Sequence, residues 1–307
     1  MGASFWKDLP RGEGGIGLTK VWMWGVVIVL CAVSLSSRAQ VEDLIRAADA
    51  AFDAHQGAFT FDSYEGRLRV AIATYEQALL LIPEDAQQTR SHTLNNLSEA
   101  CFELGTAYSA SRDEQEALFS KGKDYGLASL RLSADFASVE TAQGFRAALS
   151  AATDGVALFW YGNNLGRYIE FHPLAAITGG MKDVEASFER TIELDESYLG
   201  GGPWRGLGAY LSTVPAVLGG DLERAGECLR RAIELGPDYL ENYVNYAEYY
   251  AKAKKDWASF CEETKQALAL AQDEACFARW PLYNTLALRR AQELAALEVG
   301  GSPVCPK

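Results

Sequence analysis

The strongest constraint in this chain is a spacing that recurs. A small residue is followed four positions on by an aromatic or large apolar residue, three further by Ala, and five beyond that by Pro. Ala71, Tyr75, Ala78 and Pro83 set the pattern, and Ala225, Leu229, Ala232 and Pro237 repeat it without exception. Val184, Phe188, Thr191 and Glu196 keep the positions but lose the closing Pro. Phe260, Thr264, Ala267 and Gln272 follow more loosely, and in Lys121, Tyr125, Ala128 and Ser133 only the middle two match. Steps of four and three place these side chains on one face of an α-helix, which Pro then ends because it has no N–H to donate. The small residue lets a second helix approach closely, and the aromatic fills the gap to the next pair.

The pattern is that of the second helix of a tetratricopeptide repeat. It predicts second helices near 68–83, 115–133, 181–196, 221–237 and 256–272, with a capping helix over 280–298. The aligned Ala positions 78, 128, 191, 232 and 267 lie 50, 63, 41 and 35 residues apart, so only the last interval approaches the usual period of about 34. The interval of 63 is long enough for an extra helix pair, roughly Val139 to Ala152 and Asp154 to Phe171. Trp204, Leu207 and Gly208 have the spacing of a first-helix signature, after which Pro215 kinks the end, Gly219 and Gly220 turn, and Asp221 caps the next helix. With 46 Ala and 36 Leu, both strong helix formers, the expected fold is all-α: a tetratricopeptide-like helical-hairpin solenoid of about eleven or twelve helices, no sheet, in a single domain over 40–307.

Residues 1–39 read as a signal peptide or N-terminal anchor. Val21 to Leu35 is almost wholly apolar, Lys20 precedes it, and Ser37, Arg38 and Ala39 form a small-x-small cleavage site. Three fates remain open: cleavage after Ala39, an uncleaved span, or a lipoprotein at Cys31, which lacks the small residue usual before such a cysteine. Each exports the bulk of the chain. Removing the four basic and two acidic residues of this segment takes the formal charge from −13 to −15. That acidity argues against nucleic acid as a partner.

Motifs that carry chemistry are missing. There is no G-x-S-x-G, no phosphate-binding glycine loop with Lys and no H-E-x-x-H, and Gly12, Gly14 and Gly17 precede the leader's apolar run instead of following a strand. His55, His92 and His172 lie far apart, and the cysteines show no metal spacing. No catalytic residue, metal or cofactor is expected, and an enzyme on this scaffold would need a perturbed acid or nucleophile in a cleft. Export permits disulfides, with Cys261 and Cys276 the first pair to test. Asn96, Leu97 and Ser98 form a glycosylation sequon that matters only in a eukaryotic secretory pathway.

Aromatic and amide residues do cluster. Trp160, Tyr161 and Asn164 lie on the extra helix, Trp204, Arg205 and Tyr210 on the helix after it, and Tyr243, Tyr246 and Tyr250 further on. Such residues join an apolar body to a hydrogen-bonding tip, and these nine are the candidate ligand-binding set, although tetratricopeptide helices also pack on aromatics.

The segment from about Gly155 to Ala271 resembles the T-component family of tripartite ATP-independent periplasmic (TRAP) transporters. The resemblance rests on ALFWYGNNLGRYIEF with Trp160, on Gly200 to Pro203, and on the Pro215 to Asp221 turn with the repeat after it. It implies a non-enzymatic periplasmic helical-repeat protein, in many members a lipoprotein. Such a protein works beside the solute-binding protein of a TRAP transporter that takes up small organic ligands, often organic acids. It supplies no catalytic residues. The expected function is to engage that solute-binding protein and to hold a small hydrophobic or organic-acid ligand, with Arg205 as its anion partner; a homo-oligomer is left open. The alternative is a general scaffold for envelope assembly whose concave face grips an extended peptide.

Overall fold

The computed structural model describes residues 38–53 and 59–305. The leader, Cys31 and the glycine motif therefore lie outside the described residues. The chain divides into two units, 1–43 and 44–307. The described part of the first is the opening of helix α1 (38–52), and the account below concerns the second.

Side-chain caps set many of the helix starts. Thr60 caps α2 (Phe61–Leu81), accepting the Ser63 N–H, and α3 (Gln87–Ala107) returns antiparallel after Pro83. Ser111 caps α4 (Arg112–Leu130), Ser133 caps α5 (Ala134–Gln143) and Asp154 caps α7 (Gly155–Phe171), with α6 (Phe145–Ala151) between. A short turn, Pro173–Ala175, and a π-helical turn, Ala176–Gly180, lead into α8 (Met181–Asp195). Then come α9 (Tyr198–Thr213) and α10 (Leu222–Leu235), the latter capped by Asp221 at 3.0 Å from the Arg224 nitrogen. Helix α11 begins at Leu240–Asn245, widens to a π-helix over Tyr246–Ala251 and ends at Lys252–Lys254. Asp256 caps α12 (Trp257–Leu270), Asp273 caps α13 (Glu274–Arg279), and Pro281 opens α14 (Pro281–Ala295).

The repeated spacing marks the buried seams. Ala71, Tyr75, Ala78, Ala225, Leu229, Ala232, Phe260 and Ala267 are fully buried, and Val184, Phe188, Thr191 and Thr264 nearly so. The weakest match behaves differently: Lys121 is exposed and Tyr125 half-buried. Close approach depends on missing side chains at two seams. A Cβ on Gly126 of α4 would lie 3.0 Å from the Tyr161 backbone of α7, and one on Gly208 of α9 would lie 2.6 Å from Leu229 of α10.

The fold is all-α as expected, but with fourteen helices among the described residues rather than eleven or twelve. The extra pair is three helices, because Gly144, at φ 92°, breaks the first member into α5 and α6. A two-stranded antiparallel ribbon, Glu298–Val299 with Ser302–Pro303, was not expected. It turns through Gly300 and Gly301, both at positive φ, conformations open to Gly at little cost. This ribbon returns Cys305 to α12, where it bonds Cys261 in place of Cys276. Cys276 instead donates its thiol to the Asp238 carbonyl at 2.9 Å.

Helix α14 ties the unit together. Leu282 belongs to the apolar cluster of α2 and α3, Tyr283 packs against the cluster around α7, and Ala287, Ala291 and Leu294 belong to that of α11 and α12. The chain's last helix thereby joins all three apolar clusters.

Alkylation of the native oxidised protein should leave the buried Cys101, Cys228 and Cys276 unmodified, and after denaturation these three, with Cys261 and Cys305 still bridged, should be labelled. A bridge closing 44 residues has a stabilising effect of about 2–4 kcal/mol, so Cys305→Ser should lower the denaturant midpoint accordingly. Labelling of Cys305 before denaturation would contradict this pairing.

Candidate functional site

Helices α3, α7, α9, α11 and α14 each turn one face toward a shared cavity. On α3 the spacing Glu99, Phe102, Glu103, Thr106 forms that face. From α7 come Trp160, Asn163 and Arg167, and from α9 come Gly202, Arg205 and Gly206. Glu241, Asn245 and Tyr249 of α11 and Tyr283 of α14 complete a cavity of about 240 Å³ whose wall also takes in Phe102 and Thr106.

The entry to α9 positions Arg205. Leu199, Gly200 and Gly201 all have left-handed backbone, with φ of 47°, 60° and 82°. A Cβ at Gly201 would also lie 2.9 Å from the Ala232 backbone. The fully buried Asn242 holds this segment in place. Its amide nitrogen is within 2.8–2.9 Å of the Gly200, Ala232 and Gly236 carbonyls, and its oxygen accepts from Arg205 Nη1 at 2.8 Å. Arg205 is further held by Glu241 at 3.2 Å and the Leu199 carbonyl at 3.3 Å, and it lies over the Tyr239 ring at 4.3 Å. Its charge is thus neutralised within the wall. Arg167 differs: its Nη1 pairs with Glu170 at 2.8 Å, while its buried Nε has no hydrogen-bond partner.

Next to this cavity, Glu99 and Glu103 project from successive turns of α3. Tyr64 donates to Glu103 at 3.0 Å and to the Phe52 carbonyl at 2.6 Å. The Trp160 indole N–H lies beside Glu99 and donates to the Tyr198 hydroxyl at 3.2 Å. Burial disfavours the charged form of both carboxyls and raises Glu103 to about 7. Glu99 is pushed well above the usual carboxylate range by burial first and by the Glu103 charge second.

Of the nine expected ligand-binding residues, the structure brings Trp160 and Arg205 together in the cavity wall. The other seven lie elsewhere. Tyr161 packs on Gly126 and on Phe145, ring centroids 5.9 Å apart, and Asn164 donates to the Ser98 and Trp160 carbonyls. Trp204 donates to Glu196 at 3.0 Å, and Tyr210 packs on the α7 cluster. Tyr243 donates to the Pro237 carbonyl, Tyr246 meets Arg230, and Tyr250 packs on Tyr246 with centroids 5.1 Å apart. Their hydroxyls and rings hold helices together. Tyr249, which belongs to the same aromatic cluster in sequence but not to the set of nine, lines the cavity, and sequence reasoning did not single out Glu99, Glu103, Arg167 or Tyr283. A signal existed for the first two: a carboxyl pair at i and i+4 inside the apolar run Ala100, Cys101, Phe102 and Leu104. Among the described residues no cluster suited to a metal ion occurs, and no helix is long and apolar enough to cross a membrane.

Comparison with known proteins gives one decisive finding. The family model for the TRAP transporter T-component matches residues 103–298, nearly two thirds of the chain. The chain belongs to this family. As a T-component it is part of a transport system, and the matched span runs from the inward carboxyl of Glu103 through α14. Nothing among the curated proteins matches. Among solved structures, the TPR2AB-domain:pHSP90 complex of yeast Sti1 is similar at 14% identity with a TM-score of 0.32, covering 83% of this chain and 99% of that one.

The carboxyl pair gives the T-component a pH signature. Between the ordinary Glu value of 4.5 and about 7, the unfolded chain releases the Glu103 proton while the folded chain keeps it, so stability falls as pH rises through this window. Glu103→Gln should flatten the decline in melting temperature between pH 5 and 7 and leave the variant relatively more stable at pH 7.5 than at pH 5. Parallel wild-type and variant curves would refute this account.

Proposed function

We propose that the T-component is a periplasmic, non-enzymatic part of its TRAP system that engages the solute-binding protein and holds a small organic ligand in the enclosed interior. The observation that carries the ligand reading is the cavity itself. Five helices from both ends of the stack contribute to it, and Phe102, Phe159, Trp160 and Tyr249 give it an aromatic wall able to take an apolar body. The polar end of the ligand does not rest on Arg205, which Glu241, Asn242 and the Leu199 carbonyl already hold.

The docking face we propose is formed by two turns that lead into helices. Leu174 and Ile177 in the lead-in to α8, and Val217 in the 3₁₀ turn Ala216–Leu218 before α10, are 71%, 61% and 92% exposed. Ile177, Val217 and Leu218 line one surface hollow with Met181 and Lys182. Apolar side chains from two separate turns, collected at one place on an acidic protein, favour a protein partner over solvent. The rival reading, an extended peptide along the concave face, has less room, because Leu282, Leu286 and Arg289 of α14 take up positions there against α2 and α3.

Val217→Asp combined with Ile177→Asp should reduce co-purification of the solute-binding component by about tenfold or more. The melting temperature should be nearly unchanged, since both side chains are exposed in the folded chain. Undiminished recovery of the partner would remove this face from the proposal.

A further inference from the structure

The carboxyls of Glu99 and Glu103 have no cationic partner. Neither forms an ion pair among the described residues, whereas Glu241, Glu248, Glu196 and Glu223 on neighbouring elements each meet an arginine or lysine. Glu103 is 5% exposed and its one well-formed hydrogen bond comes from Tyr64. Two hydroxyls near the pair are unsatisfied. Tyr239 is fully buried and its oxygen has no partner, and the buried Tyr283 oxygen has no aligned partner although it lies beside Glu103. Both tyrosines feel the charge of both carboxyls, and their rings lie 6.3 Å apart. Buried polar groups without partners are costly, and two such hydroxyls beside two carboxyls that lack a counter-charge mark a site that something else completes.

From the geometry we infer that Glu99, Glu103, Tyr239 and Tyr283 form a subsite for the ammonium group of an organic amine whose apolar body extends along Trp160 and Phe102 into the cavity. This inference rests on the ligand reading given above and names the ligand's charge. An ammonium group brings three N–H donors to two carboxyls and the phenol oxygens, and its positive charge compensates the pair whose charged form burial disfavours. The aromatic rings around it present negative faces to a cation. A bare metal ion fits less well, since only two carboxyls converge.

The surrounding charges leave the site to the ligand. Tyr64, Tyr108 and Tyr198 face the pair as neutral groups, each with its hydroxyl held well above its ordinary pKa by burial. Arg67 lies over the outer side of Tyr64 and donates to the Ala50 and Asp53 carbonyls. Arg289 lies over Phe61, and Arg205 is held by Glu241.

Calorimetry on the full chain at pH 7 with three probes of one shape, pentylamine, pentanoate and pentan-1-ol, tests the inference. Pentylamine should bind about tenfold or more tightly than pentanoate, and its heat should vary with the buffer's ionisation enthalpy because the carboxyls release protons on binding. Glu103→Gln should weaken pentylamine about tenfold while leaving pentan-1-ol within about twofold, and Tyr239→Phe, which keeps the ring's packing, should weaken the amine alone. Binding of pentanoate or pentan-1-ol as tight as that of pentylamine would overturn the amine assignment and leave the ligand reading standing. Binding of none of the three would overturn both.

Discussion

Everything in the interior depends on the packing of one helix, α14, against three apolar clusters at once. A tetratricopeptide stack ordinarily leaves its concave side to solvent or to a partner. Here Leu282 and Leu294, each 2% exposed, anchor α14 at clusters from opposite ends of the folded unit. Each such leucine contributes about 1.5–3 kcal/mol relative to exposure. The Cys261–Cys305 bridge pins the segment that follows α14, so the last helix is held at both ends by the chain it covers. Enclosure lowers the effective dielectric inside, and this raises the Glu99 and Glu103 carboxyls. The electrostatics of the site therefore follow from an arrangement of apolar contacts some distance along the sequence.

A second constraint sets which side chains reach the interior. The left-handed run at Leu199, Gly200 and Gly201 costs backbone energy at Leu199, a residue with a Cβ, and persists because Arg205 and Asn242 satisfy the Leu199 and Gly200 carbonyls. The same amide accepts from Arg205, so the turn, the end of α10 and the start of α11 are fixed by one buried side chain. That turn decides the angle at which α9 leaves, and with it the placement of Arg205 and Gly206 in the wall while Trp204 points to Glu196.

The seams of the fold were legible because they depend on local spacing. Ala71, Tyr75 and Ala78, or Ala225, Leu229 and Ala232, must be buried in any hairpin of this kind, whatever surrounds it. The site was less legible because it depends on closure. Tyr243, Tyr246 and Tyr250 form a convincing cluster in sequence, yet the π-helical stretch Tyr246–Ala251 and the packing of α11 on α10 and α12 send them between helices. Tyr249, set apart from that face by the same stretch, reaches the cavity. Nothing local marks Tyr283 as an interior residue, because its position depends on α14 crossing to helices more than 170 residues earlier in the sequence. Glu99 and Glu103 carried a readable mark, two carboxyls on an otherwise apolar helix face, but charged pairs at i and i+4 are far more often solvated than buried.

The span that the T-component family model matches opens at Glu103, four residues after Glu99. Helix α2, which donates Tyr64 to Glu103 and contributes to the cluster that receives Leu282, lies wholly before it. The interior is thus assembled from two sources. The matched part supplies most of the cavity wall and the closing helix, and the part before it supplies Phe102 of the wall, with Glu99 and Tyr64 beside it. Phe159, Trp160, Arg205 and Tyr249 are positioned by contacts among α7, α9 and α11, and Phe102 reaches the same wall from the preceding hairpin. A helical-repeat scaffold permits this division because each hairpin packs chiefly on its neighbours. Packing of α14 then brings the two sources to one cavity, where Tyr283 joins Phe102 from the preceding hairpin and Trp160, Arg205 and Tyr249 from the matched span.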